Sequence, residues 1–252
     1  MWIPVGNIIK DSDGNKETIT LSRYTFANDN VGTSTDKGSA EIENSFNSSY
    51  KHTEVNISTN GNKTAKENIE SEESGFRKSA KDNHGYYIGR YESRKNGTQV
   101  TVKASDTVYN NITQPNAATV SRGMYSNSNF ESDLMNSYAW DTAIVFLQKF
   151  DNRANKASLK PYSQQTSLNT GSLANQGTNN LSDASKQDVI CNVYDMASNC
   201  IEWTTETCSI SGGPCTLRGG LYYDSSYYTS YRSNSSTSDS HDGISFRPLL
   251  YM

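Results

Sequence analysis

The chain has 252 residues, a formal net charge of −4 and 33% hydrophobic residues, with a mean hydropathy of −0.76. An acidic chain without a basic block lacks the electrostatic footprint of a nucleic-acid binder, and no run approaches the roughly 20 apolar residues of a membrane span. The length suits one large domain or two small ones, and 16 Tyr make much of the apolar area amphipathic.

The N-terminus has no apolar signal-peptide segment. Met1-Trp2-Ile3-Pro4-Val5-Gly6 reads like the interior of a domain, so the chain is expected to be the C-terminal part of a longer protein, with targeting or anchoring upstream. Over 2–26, apolar or alternating runs flank Asp13-Gly14 and predict a β-hairpin with a two-residue turn. Residues 27–65 are rich in Asn, Ser, Thr, Gly and Lys without a period, the pattern of a long loop.

From Lys66 to Asn83, Ile69, Glu73, Phe76 and Ala80 fall at helical spacing, with acids early and Arg77, Lys78 and Lys81 late; Gly85 is the expected stop. Tyr86–Glu92 alternates as a core strand, and Asn96-Gly97 predicts a second hairpin leading into Thr98–Val102. A second helix is predicted over Ser132–Phe150, capped by Ser132, with Trp140, Ile144 and Leu147 along one face. Residues 151–187, broken by Lys160-Pro161, read as loop.

Four cysteines, Cys191, Cys200, Cys208 and Cys215, lie within 25 residues. A clustered even set favours disulfides in an exported protein, with sequence neighbours Cys191–Cys200 and Cys208–Cys215 the expected pairs. Thiols and a zinc site are the alternatives, although the absence of a CxxC pair is poor for zinc. The same region, Asp188–Glu206, carries Asp195, Asn199 and Glu202 within a dense apolar patch, and buried acids need partners or a cation. The histidines His52, His84 and His241 are isolated in sequence and read as surface residues.

Composition changes abruptly between Arg218-Gly219-Gly220 and the closing Ile244–Pro248. Residues 221–243 hold five Tyr, eight Ser and three Asp, and no Lys, Glu, Gln, Trp or Met. Tyr supplies rigid amphipathic contact area at low entropic cost, and Ser and Asn supply adaptable hydrogen bonds. Each residue type present can be reached from an Asn codon of the form AAY by changing only adenines; the five absent types cannot.

NVYDMASNCIEWT at 192–204 is similar to the N-x-x-D-M-x-G-N-x-x-E-W hallmark of the formylglycine-generating-enzyme (sulfatase-modifying factor) family, a branch of the C-type lectin fold. The likeness extends to WIP at 2–4, YYIGRYE at 86–92, the helix before Phe150, RGG at 218–220 and SFRP at 245–248. It implies an α+β C-type lectin fold of the formylglycine-generating-enzyme-like subtype, with two helices, small twisted antiparallel sheets and long loops, as a single domain over 1–252.

The oxidases of this family carry a cysteine pair between RGG and FRP, and here that segment has no cysteine. The chain also resembles the variable proteins of diversity-generating retroelements, in which adenine-directed mutagenesis diversifies the segment before the FRP-like strand. That resemblance implies a non-catalytic ligand-binding display protein whose variable segment is 218–248. The expected contacts are Leu221, Tyr222, Tyr223, Asp224, Tyr227, Tyr228, Tyr231, Ser233, Asn234, Ser240, His241 and Asp242, with Tyr222 and Tyr228 as candidates to turn inward.

The implied partner is a protein or glycan on a cell or host surface, not a nucleic acid, and the implied location is a bacterial cell surface, the extracellular space or a phage particle. No cofactor is expected beyond a structural calcium, which the enzyme branch would place at Asp195, Ser198, Cys200 and Glu202. An oxidase and a fixed-specificity carbohydrate-binding lectin are the competing functions.

Overall fold

A computed structural model describes residues 1–26, 34–36, 50–51, 75–97, 99–104, 107–127, 129–150, 189–208, 212–222 and 229–252. The loops expected over 27–65 and 151–187 therefore fall largely outside the described residues. In chain order the early strands are Trp2–Pro4 (β1), Gly6–Ile9 (β2), Lys16–Ile19 (β3), Tyr24–Phe26 (β4), Ser34–Asp36 (β5) and Tyr50–Lys51 (β6). A helix over 75–82 (α1) follows. Next come Gly85–Ile88 (β7), Ser93–Asn96 (β8), Gln99–Val102 (β9), helix Gln114–Arg122 (α2), Ser126–Asn127 (β10), Phe130–Leu134 (β11) and helix Ser137–Phe150 (α3). The remainder supplies Val189–Ile190 (β12), Val193–Tyr194 (β13), Ile201–Cys208 (β14), Cys215–Arg218 (β15), Arg232–Ser235 (β16), Ile244–Phe246 (β17) and Pro248–Tyr251 (β18).

The molecule is mixed α+β. One five-stranded antiparallel sheet runs β1-β7-β18-β11-β10, so strands from the two ends of the chain flank β7. A second sheet runs β16-β15-β14-β17, with β6 also on β14, and its β14–β17 contact is parallel. Two hydrophobic cores follow. In the first, Phe76 and Ala80 of α1 and Trp140, Ala143, Ile144 and Leu147 of α3 pack with Ile3, Tyr86, Ile88 and Leu249 of the first sheet. In the second, Ala117 and Ala118 of α2 pack with Leu134, Ile201, Trp203, Leu217 and Phe246. Side chains such as Ile3, Leu134 and Phe246 are fully buried, each contributing about 1.5–3 kcal/mol of transfer free energy.

Several expectations shift in detail. The first hairpin forms as β2 against β3, but its connection spans 10–15 and wraps around Asp11, whose carboxylate accepts the amides of Asp13 and Asn15 and the Asn15 side chain. Lys10 N–H closes it on Asn15 O at 2.7 Å. An acceptor at the loop's first position thus outcompetes the two-residue turn at Asp13-Gly14.

Helix α1 is followed by a turn at 83–84, with His84 left-handed at φ 58°. Gly85 instead opens β7: at φ 155° its missing Cβ leaves room for the Trp2 ring, which a Cβ would approach to 2.3 Å. The second hairpin forms as β8 against β9, but Asn96 pairs with Gln99 as the last residue of β8, so the connection begins at Gly97 rather than at Asn96.

The predicted long helix starts at Ser137 rather than Ser132. Residues 130–134 are drawn into the first sheet by pairing with β18, and Asn136 caps α3 by accepting the Ala139 amide at 2.9 Å.

Candidate functional site

The chain leaves the second sheet after β15, rejoins it as β16 beside β15, and returns once more as β17. Gly219 makes the exit possible. Its φ is +87°, and a Cβ there would lie 2.8 Å from Met196 O and 3.2 Å from the Trp140 ring. Tyr222 N–H then donates to Asn199 O at 2.7 Å, tying the segment to the motif loop. That loop holds Asp195 and Asn199 at left-handed φ of 60° and 63°, a conformation Asn and Asp tolerate best.

The sequence-predicted contacts fall into three groups. Tyr223, Asp224, Tyr227 and Tyr228 lie outside the described residues. Leu221 is a correction: it is 6% exposed and packs in the second core, because the chain leaving Gly220 is still beneath the sheet. Tyr222 turns partly inward against that core, with its hydroxyl 3.5 Å from Asp242 Oδ2; burial, then the Asp242 charge, pushes its phenol above the usual value.

The remaining residues are open to solvent to different degrees, and the Asn234 side chain donates to Gly213 O at 3.3 Å. Tyr231, Ser233 and Asn234 are half-buried, and Ser240, His241 and Asp242 are exposed. Between them 236–239 makes a turn in which Asp239 N–H donates to Ser236 O at 3.2 Å, with Ser235 Oγ bonded to Asp239. The exposed end rests on a short stretch that the sequence reading left unassigned: Asn111 N–H donates to His241 O at 3.0 Å and Asn110 Nδ2 to Asp242 O at 2.7 Å.

Under this segment lies a set of buried charges. Arg23, Arg218, Arg232, Asp141 and Glu206 are all wholly buried. Arg232 Nη2 meets Asp141 Oδ2 at 2.6 Å and its Nε meets Glu206 Oε1 at 2.7 Å. Arg218 reaches the same two carboxylates at 2.5 and 2.9 Å, and Arg23 reaches Glu206 at 2.9 Å. Burial disfavours both guanidinium charges. At Arg232 the Asp141 and Glu206 charges outweigh it and hold the group above its ordinary value; at Arg218 burial and the neighbouring Arg232 win and lower it. Beside the network, Trp140 Nε1 donates to Thr229 O at 2.9 Å.

Sequence reasoning missed this network. The available signal was Asp141 inside the most apolar helix and Glu206 inside a strand, both improbable places for an unpaired acid.

The motif residues form a second buried cluster with a different logic. Arg247 clasps Glu202 with two bonds, 2.7 Å from Oε1 and 3.2 Å from Oε2, and donates to Gly89 O and Tyr194 O. Glu92 accepts the Cys200 amide at 3.0 Å and the Asn199 side-chain amide. Burial, then Asp195 and Glu202, pushes the Glu92 carboxyl well above the usual range.

Of the residues expected to hold calcium, Glu202 and Ser198 are engaged with other side chains. Both Glu202 oxygens face a guanidinium, and the Ser198 hydroxyl donates to Asp195 Oδ1 at 3.3 Å. Among the described residues no group of three His, Cys, Asp or Glu could hold a metal ion. Arg247 supplies the positive charge that the Glu202 carboxylate needs.

Of the two expected disulfides, Cys191–Cys200 is not formed in the structure, and Cys208–Cys215 involves a side chain outside those described. Cys200 Sγ faces Asp242 O at 3.8 Å, Cys191 sits in the turn between β12 and β13, and Cys215 lies opposite Thr207 rather than Cys208. Burial, then the charges of Glu92 and Glu202, raises the Cys200 thiol well above its usual value.

No helix among the described residues is long and apolar enough to cross a membrane. No protein-family model matches the chain, and no curated protein does. Among solved structures the chain is similar to Treponema denticola variable protein 1, at 16% identity and a TM-score of 0.37, over 100% of this chain and 94% of that one. A likeness of that degree assigns no fold, and the functional reading below rests on the residues and their geometry.

Proposed function

We propose that this chain is a non-catalytic binding protein that displays its 221–243 segment, diversified by a diversity-generating retroelement, from a C-type lectin fold of the formylglycine-generating-enzyme-like subtype spanning 1–252. The observation that carries the reading is the segment itself. Its residues are all of types reachable from AAY codons, and from Ser233 to Asp242 they are partly or fully open to solvent and belong to neither core. The target is a macromolecule, a protein or glycan on a cell or host surface, and the display is on a bacterial surface, in the extracellular space or on a phage particle.

The lack of cysteine between Gly220 and Phe246 leaves the oxidase alternative without its thiol pair. The test is deep sequencing of the gene's 3′ end across a population of the source. Substitutions concentrated at codons 221–243, traceable to adenines of a nearby near-identical repeat, are the expected result. An invariant segment would contradict diversification and favour a lectin of fixed specificity.

A further inference from the structure

The five-residue charge network reaches into the segment proposed to vary. Arg232 opens β16 and is 4% exposed, while the residues that follow, from Ser233 to Thr237, are all partly open to solvent. Its side chain turns inward, away from the face presented by its neighbours, and bridges Asp141 on α3 to Glu206 on β14. Three residues earlier Thr229 O is fixed by the Trp140 indole, and Thr229 is wholly buried. On the backbone β16 is held to β15 in a four-residue register, with Arg232 opposite Arg218. The far end is held as firmly: Gly243 O accepts Ile201 N–H at 3.0 Å, and Ile244 N–H donates to His241 O at 3.1 Å.

We infer that Arg232 is a positioning residue excluded from diversification: it pins the start of β16 to both α3 and β14, so that the binding face is built from Tyr231 and from 233–242 on a fixed frame. The inference rests on the proposed display function and divides that site into a constant clasp and a variable face. The physical reason is asymmetric cost. Replacing an exposed Ser on the turn removes no buried partner, whereas replacing Arg232 removes two charge-assisted bonds from wholly buried carboxylates, one to Asp141 and one to Glu206, and leaves the space of its own buried side chain unfilled. A mutagenesis system that rewrote codon 232 as freely as its neighbours would discard most of its products as unfolded chains. The identity of residue 232 therefore sets the fraction of variants that can be displayed.

The test is a saturation library of the full chain at each of codons 229–243, displayed on yeast, sorted for protease resistance and sequenced before and after sorting. Every substitution at Arg232, lysine included, is expected to be depleted at least about tenfold. Ser233, Ser236, Ser238 and Ser240 should accept the AAY-reachable residues at near-parental frequency. Free acceptance of Ser, Tyr or Asn at 232 would overturn the inference.

Because any core residue is depleted in such a sort, Arg232→Lys is also compared with the parent by hydrogen exchange. Faster exchange confined to 229–236, with α3 still protected, supports a positioning role; equal acceleration in α3 and β16 contradicts it. Population sequencing separates the two levels. Variation across 233–242 with codon 232 constant supports both, and variation at 232 overturns the clasp alone. Invariance of the whole segment removes diversification, while the library still decides the clasp.

Discussion

Arg232, at the start of β16, and His241, in the connection that follows that strand, lie nine residues apart, and what holds them differs. Arg232 is buried, meets two carboxylates at 2.6 and 2.7 Å, and cannot move without breaking both buried bonds. The His241 side chain is exposed, and the stretch containing it is positioned through the backbone, by His241 O accepting from Asn111 and Ile244 and by Asp242 O accepting from Asn110. The difference shows how one segment serves two purposes. Buried ion pairs fix the end that must not change, whereas the other end is held largely through main-chain acceptors, the His241 ring being an exception because its Nδ1 accepts the Gly243 N–H at 3.1 Å.

The comparison breaks most visibly at the carboxylates. Asp141→Asn and Glu206→Gln each leave guanidiniums undercompensated in a wholly buried site, and each is expected to cost about 3–5 kcal/mol in a urea unfolding series. A loss below about 1 kcal/mol would mean that water reaches the network. Next is the hinge that launches the segment. Gly219→Ala places a methyl 2.8 Å from Met196 O at φ +87°, and a cost of about 1–3 kcal/mol is expected from backbone strain, read as a lower melting temperature.

A smaller effect is expected from Asp133, which Arg122 holds at 2.9 Å between α2 and β11. Burial raises its carboxyl above the ordinary value of 3.8, and Arg122 pulls the other way without prevailing. A carboxyl raised on folding contributes stability that is complete below its unfolded value and lost as pH rises through its folded value. The stability of wild type relative to Asp133→Asn should therefore fall as pH rises from below 3.8 toward neutrality. A difference that grows with pH over that range would show the ion pair to be dominant.

Part of this was legible in the residues. Gly85–Ile88 and the β8–β9 hairpin follow from aromatic alternation and turn chemistry, which are local causes, and the solvent-open residues at 233–242 follow from composition. Other features have non-local causes. Phe130–Leu134 joins a sheet only because β18 comes back beside it, so its helical spacing was overridden. Helix α2 buries Gln114, Ala117, Ala118 and Ser121, a face too small and polar to stand out as an apolar stripe.

The clustered cysteines suggested covalent pairing, yet their strands and turns point them at different neighbours. The clasp itself was hidden because an arginine among serines reads as surface. Only the arrival of Asp141 and Glu206 from 91 and 26 residues away makes it a core residue.

The most direct measurement of the account's central claim is thermal unfolding of a chain in which Thr237, Ser238 and Ser240 are replaced together, once by tyrosine and once by aspartate. These positions line the turn beyond the clasp and lie in neither core. If the face is free to vary, both variants keep a cooperative transition within about 2–4 °C of the parent, the shift expected for about 1 kcal/mol in a chain of this size. Loss of the transition, or a far larger fall in either variant, would contradict a display surface set apart from the fold.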